Sequence, residues 1–284
     1  MENIERVMIF VELVKGCNNI ACPSFHTLCG LDEPGLRFMS ASQLEKIVQE
    51  ISDNAQQLEQ IGRVDIWAYG CGDTLLHPKL DEMAKILAVL PYKKTIAIDS
   101  NCWRENTGWG NLMQPVILFK DGSFTTDSMQ KSVRKWSQEF NAPRFGFILK
   151  ELDNEMVDTI RSIQTFWNYP FAKIRSFHYV PLGGNIDYHT INQYKRPPIN
   201  INGGLNIETI PCPDKKAIRC MYRVDGSMRR CLVSTTTKTN LNEFLWGDLS
   251  DCSECWPHMA GEQILIFPDK ILRMESARCV SDKG

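Results

Sequence analysis

Up to about residue 180, the pattern of hydrophobic and polar residues switches between segments typical of β-strands and segments typical of amphipathic helices. Short apolar runs bounded by Gly, Pro or polar clusters predict six buried strands, at residues 7–14, 63–69, 94–98, 115–119, 144–149 and 174–180. Between them, apolar residues recur every three or four positions, as in Leu44, Ile47 and Ile51, which predicts amphipathic helices, the last at residues 153–167. Strands that alternate with helices pair in parallel through right-handed crossovers. The pattern predicts an α/β fold, a partial (β/α)6 barrel of the TIM type.

The pattern changes after Leu182. Paired glycines and prolines, such as Gly183-Gly184 and Pro197-Pro198, indicate a long connection with little helix. Farther on, residues 217–224 and 228–234 flank Asp225-Gly226, a dipeptide typical of a tight β-hairpin turn. We therefore expect residues 1–182 to form the barrel and residues 183–284 a small C-terminal domain that contains the hairpin. The arginines of the hairpin are expected to be solvated; they are Arg219, Arg223, Arg229 and Arg230.

Composition narrows the class of partners. The chain has 284 residues, 43% of them hydrophobic, and a net charge of −2, which gives no reason to expect a nucleic-acid partner or an acidic membrane surface. The N-terminus lacks the pattern of a signal peptide, and no apolar run approaches the ~20 residues of a membrane span. Eleven cysteines without an export signal are more typical of ligands or reduced thiols than of disulfides. We expect a cytoplasmic protein.

Three thiols cluster directly after the first predicted strand. Cys17, Cys22 and Cys29 lie within thirteen residues of a loop. Three cysteines without a fourth suit an iron–sulfur cluster that leaves one iron open, whereas a structural zinc site takes four ligands. His26 is an alternative third ligand. The alternative is that these are buried cysteines without a ligand role, although a loop is a poor place to bury thiols.

Four more thiols surround the predicted hairpin. Cys212, Cys231, Cys252 and Cys255 supply a complete ligand set, either for a second iron–sulfur cluster or for a zinc ribbon. Cys220, on the first strand of the hairpin, is an alternative ligand.

Polar residues follow the other predicted strands, and the carboxyl ends of parallel strands gather on one rim. Gly70, Cys71, Gly72, Asp73 and Thr74 follow the second strand, Ser100, Asn101 and Cys102 the third, and Val180 and Leu182 close the sixth. An ordinary strand-to-helix turn is the alternative interpretation of residues 70–74. Glu12 is the one charged residue in the first predicted strand. It either points into the barrel as a substrate contact or pairs with a neighbouring base.

These features together resemble the radical S-adenosylmethionine (SAM) enzymes that carry a C-terminal twitch domain, a shortened SPASM domain. The resemblance implies that Cys17, Cys22 and Cys29 hold a catalytic [4Fe–4S] cluster. It also implies an auxiliary [4Fe–4S] cluster on the four C-terminal thiols. The spacing of the first three cysteines departs from the family pattern of Cys-x3-Cys-x2-Cys, because Phe25 stands where the third cysteine is expected.

The resemblance also implies the SAM-binding residues. Gly70, Gly72, Asp73 and Thr74 correspond to the family's Gly-Gly-Glu-Pro loop, which binds the amino group of SAM. By the same resemblance, Ser100 or Asn101 would lie near the ribose and Val180 or Leu182 against the adenine.

The implied reaction begins with an electron from a donor such as flavodoxin or ferredoxin. It cleaves SAM to a 5′-deoxyadenosyl radical, which removes hydrogen from an unactivated carbon. The short chain resembles the carbohydrate-acting members, among them aminoglycoside epimerases and scyllo-inosamine dehydrogenase. We therefore expect a small polar substrate, a sugar or aminocyclitol, and an epimerisation or a dehydrogenation. Cys71, Cys102 and Cys220 are candidate hydrogen donors, although each could be an inert buried thiol.

Two alternatives stay open. One is a radical SAM maturase that modifies a peptide. The other, from a different class, is a non-catalytic protein that binds zinc or an iron–sulfur cluster.

Overall fold

The structure is a computed structural model. It describes residues 4–16, 35–99, 104–120, 126–140 and 143–148, and then the segments 152–153, 173–176, 199–200, 206–210, 217–229, 237–238, 240–245 and 262–266.

Strands and helices alternate through the first half of the described chain. The strands are β1 (Arg6–Val11), β2 (Val14–Lys15), β3 (Arg37–Phe38), β4 (Arg63–Ala68), β5 (Lys93–Asp99), β6 (Gln114–Lys120), β7 (Arg144–Ile148), β8 (Leu152–Asp153), β9 (Lys173–Ser176), β10 (Ile199–Asn200), β11 (Asn206–Ile210), β12 (Ala217–Tyr222), β13 (Met228–Arg229), β14 (Thr237–Lys238) and β15 (Glu262–Ile266). The α-helices are α1 (Ala41–Asp53), α2 (Ala55–Ile61), α3 (Leu80–Ala88), α4 (Trp109–Leu112), α5 (Thr126–Glu139) and α6 (Leu241–Leu245), and a 3-10 helix spans Thr74–Leu76.

The helices form for the local reasons that the sequence indicates. Ser40 and Gln43 make a reciprocal capping box at the start of α1, where the Ser40 hydroxyl accepts from the Gln43 N–H at 3.2 Å and Gln43 Oε1 accepts from the Ser40 N–H at 3.0 Å. The apolar stripe of α1 is buried, and so is that of α3. The helix predicted at residues 153–167 falls outside the described residues, except that Asp153 ends β8.

One mixed sheet holds eight of the described strands, in the order β14-β13-β12-β1-β4-β5-β6-β7. The pairs from β12 through to β7 are all parallel, which confirms an α/β fold with a parallel sheet. The predicted partial barrel stays a prediction, as do the C-terminal domain and its boundary after residue 182.

The sixth parallel strand is β12, which comes from beyond residue 182. We expected it at residues 174–180, but β9, which covers the start of that range, pairs antiparallel with β15. β12 instead pairs with the free side of β1, with Cys220 opposite Ile9. The physical reason lies in β1: Val7 and Ile9 on one face and Met8 on the other are all buried, and a strand that is buried on both faces is typical of the interior of a parallel sheet, with a neighbour on each side. The predicted hairpin turn is confirmed, since β12 and β13 pair antiparallel around Asp225-Gly226.

The main sheet has two chemically different faces. On one face, Val7, Ile9 and Val11 of β1 and Cys220 and Tyr222 of β12 join the core that α1 and α3 help to form. The alternate positions make up the other face, which we call the polar face. It carries Met8, Phe10, Glu12, Asp65, Trp67, Tyr69, Arg219, Met221, Arg223 and Arg229.

Candidate functional site

The loop after β4 docks on the residue that precedes the cysteine cluster. The Gly16 N–H donates to the Cys71 carbonyl at 3.1 Å, and the Asp73 N–H donates to the Gly16 carbonyl at 3.3 Å. Gly16 and Gly72 also form a parallel bridge. Gly16 adopts a φ of +93°, which favours glycine. The predicted SAM loop and the start of the predicted cluster loop are therefore directly connected.

The two glycines of this loop are required by packing. A Cβ added at Gly70 would lie 2.4 Å from Cγ of Glu12, and one at Gly72 would lie 2.4 Å from the Val14 carbonyl oxygen. We expected these glycines to let the backbone approach SAM. Their contacts with Glu12 and Val14 give a separate reason for glycine, namely close docking of the loop against the end of β1.

Asp73 and Thr74 are both buried at the start of the 3-10 helix. One Asp73 oxygen, Oδ1, accepts from the Leu75 N–H at 3.0 Å, and the Thr74 hydroxyl donates to the Ala68 carbonyl at 3.4 Å. These bonds are those of an ordinary strand-to-helix turn, the alternative interpretation of this segment. Binding of SAM by Gly70, Gly72, Asp73 and Thr74 stays a prediction.

Glu12 is the centre of the described site. Its side chain is fully buried and accepts three hydrogen bonds, from the Cys71 N–H at 2.8 Å, from Arg223 Nε at 2.6 Å and from the Val224 N–H at 3.2 Å. Of the two interpretations that the sequence left open, the structure shows pairing with a base. Glu12 thus joins the end of β1, the loop after β4 and the chain after β12.

The base that pairs with Glu12 was not expected from the sequence. Arg223 is 7% exposed, so the prediction that it is solvated was wrong. It is drawn inward because a buried carboxylate requires a partner of opposite charge. The alternation of Ile218, Cys220 and Tyr222 with Arg219 and Arg223 indicates only that one face of this strand is apolar, so it gives no local signal that Arg223 is buried.

Cys71 remains a neutral thiol at ordinary pH. It is 5% exposed, and burial, helped by the negative charge of Glu12, raises the pKa of the thiol to about 11. A hydrogen donor must be present as S–H, so this environment is compatible with the predicted role. It is equally compatible with an inert buried thiol.

Cys220 is packed differently. Its side chain is fully buried in the hydrophobic core, on the face of β12 that packs toward α1, and burial raises the pKa of this thiol as well. We expected it on a hairpin that covers the site. Its position in the middle of the main sheet favours the alternative role, an inert core thiol.

The remaining predicted site residues lie outside the described part of the chain. They are Cys17, Cys22, His26, Cys29, Ser100, Asn101, Cys102, Val180, Leu182, Cys212, Cys231, Cys252 and Cys255. Within the described ranges, no group of three or more His, Cys, Asp or Glu side chains is placed to hold a metal ion. No described helix is long and apolar enough to cross a membrane.

Aromatic and basic side chains on the polar face were also missed by sequence reasoning. The Phe10 ring centroid lies 6.3 Å from that of Trp67 and 6.2 Å from that of Tyr69. The guanidinium carbon of Arg219 lies 6.0 Å from the Phe10 centroid. These side chains come from β12, β1 and β4, which are neighbours in the sheet but far apart in the sequence, so the sequence alone does not show that they lie together.

The fold is similar to those of known proteins at low sequence identity. Streptococcus suis SuiB bound to S-adenosylmethionine aligns with a TM-score of 0.52 at 14% identity, over 91% of this chain and 70% of that chain. A second structure of Streptococcus suis SuiB gives 0.47 at 12% identity, over 90% and 72%. BtrN in complex with AdoMet and 2-DOIA gives 0.38 at 13% identity, over 92% and 89%. The first of these alignments establishes a likeness of fold. No protein-family model matches the chain, and no curated protein matches its sequence significantly.

Proposed function

We propose that this protein is a radical SAM enzyme with its catalytic [4Fe–4S] cluster on Cys17, Cys22 and Cys29. The observation that carries the proposal is the docking of the Cys71 and Asp73 backbone on Gly16, the residue before Cys17. A cluster that shares SAM with a glycine-rich loop requires the two segments to be adjacent. The similarity in fold to SuiB, whose structure contains S-adenosylmethionine, supports the same assignment.

The residues available suit these groups chemically. Cysteine thiolates are the usual ligands of iron–sulfur clusters, and three of them leave one iron for a small ligand. When bound, the cluster and SAM supply a 5′-deoxyadenosyl radical that removes a hydrogen atom from an unactivated carbon. In the proposal the chain holds SAM with Gly70, Gly72, Asp73 and Thr74, places Ser100 or Asn101 near the ribose, and packs Val180 or Leu182 against the adenine.

The four C-terminal thiols would hold the auxiliary [4Fe–4S] cluster. We assign Cys212, Cys231, Cys252 and Cys255 to it, and the burial of Cys220 in the hydrophobic core supports leaving that residue out. A cytoplasmic flavodoxin or ferredoxin would supply the electron. A zinc ribbon with the same four ligands is the competing assignment.

The proposed substrate is a small polar molecule of the sugar or aminocyclitol class, and two outcomes are open. In a dehydrogenation, the substrate radical loses a proton and passes one electron to an acceptor, a role that the auxiliary cluster would supply. In an epimerisation, a thiol gives a hydrogen atom to the opposite face of the carbon, and the resulting sulfur radical then takes an electron and a proton. The neutral thiol of Cys71 is compatible with epimerisation, and Cys102 is the other candidate donor.

Anaerobic reconstitution with iron and sulfide tests the proposed cofactors. We expect a brown protein whose reduced form gives an electron paramagnetic resonance signal that SAM alters, because SAM would bind the open iron. Cys17→Ala should abolish the response to SAM, and Cys279→Ala, which removes a thiol outside both proposed sets, should retain it. Zinc without iron or sulfide would instead support the non-catalytic alternative.

Turnover in deuterated water separates the two outcomes. Epimerisation predicts one deuterium at the inverted carbon, lost in Cys71→Ala or in Cys102→Ala but retained in Cys220→Ala. A product about two mass units lighter than the substrate, formed equally by all three variants, would establish dehydrogenation. A peptide as the only modified substrate would support the maturase alternative.

A further inference from the structure

The polar face of the sheet contains two buried hydrogen-bond donors without acceptors. Nε of Arg229 on β13 and Nε1 of Trp67 on β4 are both buried and have no hydrogen-bond partner within the described part of the chain. The cost of burying an unpaired donor is substantial, so such groups call for an explanation. A bound ligand that supplies acceptors is one such explanation.

The two donors lie at the same height on the sheet. In the sheet register, Arg229 lies opposite Met221, and Met221 lies opposite Phe10. Phe10 in turn lies opposite Trp67, so all four side chains share one face and one level of the sheet. Three strand spacings separate β13 from β4, which places the two Cα positions roughly 14 Å apart. Phe10 lies between them, and both it and Trp67 remain partly exposed. The donors therefore flank an aromatic floor of the size of a small ligand.

None of the described carboxylates accepts a hydrogen bond from Arg229 Nε. Glu12 accepts from Arg223, and Asp65 pairs with Arg63 at 2.7 Å through Oδ2, while its buried Oδ1 has no partner within the described residues. Asp225, at the exposed turn, accepts from the N–H and the hydroxyl of Ser227 and interacts electrostatically with Arg229. Arg219, stacked over Phe10, adds a second guanidinium to the same face. Arg229 and Trp67 therefore present unpaired donors, one of them positively charged, to a ligand that lies on Phe10.

We propose that the polar face binds an anionic substrate, whose carboxylate or phosphate group is held by Arg229 while an oxygen elsewhere on the molecule accepts from Trp67. This inference rests on the proposed function and narrows its substrate class from polar to acidic. Cationic aminocyclitols are disfavoured, because an ammonium group would face the guanidinium of Arg229. An aromatic floor suits the apolar face of a sugar ring, so a sugar acid or a sugar phosphate fits both observations.

Four ring-matched probes test the charge requirement. They are glucuronate, glucose 6-phosphate, glucose and glucosamine, titrated calorimetrically into the purified full chain at constant ionic strength. We expect one of the two anions to bind at least tenfold more tightly than glucose and glucosamine. Preference for glucuronate would identify a carboxylate, and preference for glucose 6-phosphate a phosphate. Equal binding of glucose or glucosamine, or no binding of either anion, would overturn the proposal.

Variants locate the bound anion. Arg229→Gln should weaken anion binding at least tenfold, because the loss of a charge-assisted hydrogen bond costs about that much. Trp67→Phe keeps the aromatic contact with Phe10 and should weaken binding about threefold. Arg134→Gln removes an exposed arginine of α5 and should change nothing. Unaltered anion binding by Arg229→Gln would overturn the assignment.

Two further readouts separate this inference from other outcomes. Since Nε of Arg229 donates no hydrogen bond within the described residues, Arg229→Gln should unfold no earlier than the wild type in a thermal melt. Cleavage of SAM without substrate is measured in parallel on the wild-type protein. Anion binding without SAM cleavage in the wild type would leave the binding site standing and refute the proposed function.

Discussion

At the scale of single residues, the Glu12–Arg223 pair is the described interaction on which the site depends most. Both partners are buried, with side-chain exposures of 0% and 9%, and Glu12 Oε2 lies 2.6 Å from Arg223 Nε. A buried ion pair adds little stability compared with apolar residues of the same shape, but the loss of one partner leaves the other charge buried and unpaired. Glu12 also holds the Cys71 N–H, so its loss would loosen the loop as well.

Glu12→Ala should therefore lower the free energy of unfolding by about 3–5 kcal/mol, because Arg223 is left buried without its partner. The double variant Glu12→Leu with Arg223→Met should be less destabilised than this single variant. Glu45→Ala, on the exposed side of α1, is the control and should stay within about 0.5 kcal/mol of the wild type. Urea denaturation gives all three values, and a loss below about 1 kcal/mol for Glu12→Ala would contradict the assigned role.

The buried Cys71 thiol makes stability depend on alkaline pH. Its pKa rises from 9.0 to about 11 on folding, so the folded state holds the proton more tightly than the unfolded state does. This contribution is complete below pH 9.0 and is lost as the pH rises toward about 11. It amounts to at most about 2.7 kcal/mol, from about 1.4 kcal/mol for each unit of pKa.

Denaturation at a series of pH values checks this prediction. The free energy of unfolding should fall across the alkaline window in the wild type and fall less steeply in Cys71→Ala. Some slope should persist in the variant, because burial also raises the pKa values of Cys220 and Tyr222. Parallel slopes in the two proteins would show that Cys71 is not protected from ionisation.

At the scale of elements, the turn from β4 into the 3-10 helix is built against β1 and β2 instead of standing alone. Gly72 has no room for a side chain, because the obstructing atoms are the Val14 and Gly16 carbonyl groups, and backbone cannot move aside as a side chain can. Any change here must shift the whole loop relative to Gly16. The geometry of the predicted SAM site would change with it.

Gly72→Ala should accordingly weaken binding of SAM to the reconstituted protein by at least tenfold, in addition to any loss of stability. Gly108→Ala is the matched control. Its φ of +134° also strains an alanine, but a Cβ there meets Asp81 only at 3.6 Å. The control should lose stability without losing affinity for SAM. Equal affinity for SAM in Gly72→Ala and the wild type would show that this loop does not take part in SAM binding.

Elements with a strong local signal could be predicted from the sequence, and their partners across the sheet could not. Ser40 and Gln43 predict the start of α1, and Asp225-Gly226 predicts the hairpin turn, because a capping box and a tight turn both depend only on residues that are neighbours in the sequence. The parallel pairing of β12 with β1 joins Ile9 to Cys220, far apart in sequence, and no local pattern specifies it. The burial of Arg223 follows from that pairing, which is why it was missed.

At the scale of the whole molecule, the order of the sheet gathers the candidate site. β12 returns from the C-terminal part to lie beside β1, and β4 lies on the other side of β1. The carboxyl ends of these three strands bring together Arg223, Glu12 and the loop after β4. This is the edge at which parallel α/β folds bind ligands, so the architecture agrees with the proposed function.

The proposed auxiliary cluster gives a prediction at the same scale. A variant without Cys17, Cys22 and Cys29 should retain about four irons after reconstitution, as expected for one [4Fe–4S] cluster on the C-terminal thiols. Additional loss of Cys252 and Cys255 should remove this iron, whereas Cys220→Ala should keep it, because Cys220 is packed in the core. Iron analysis and absorption spectra distinguish these cases. No iron in the first variant would remove the twitch domain from the proposal.

Reductive cleavage of SAM tests the central claim most directly. The anaerobically reconstituted protein is supplied with SAM and a strong reductant, and 5′-deoxyadenosine and methionine are quantified by mass spectrometry. We predict that both products form with the wild type and with Cys279→Ala, and that neither forms with Cys17→Ala, Cys22→Ala or Cys29→Ala. His26→Ala should behave as the wild type if Cys29 is the third ligand. Absence of 5′-deoxyadenosine from a wild-type protein that carries its full complement of iron and sulfide would contradict the assignment.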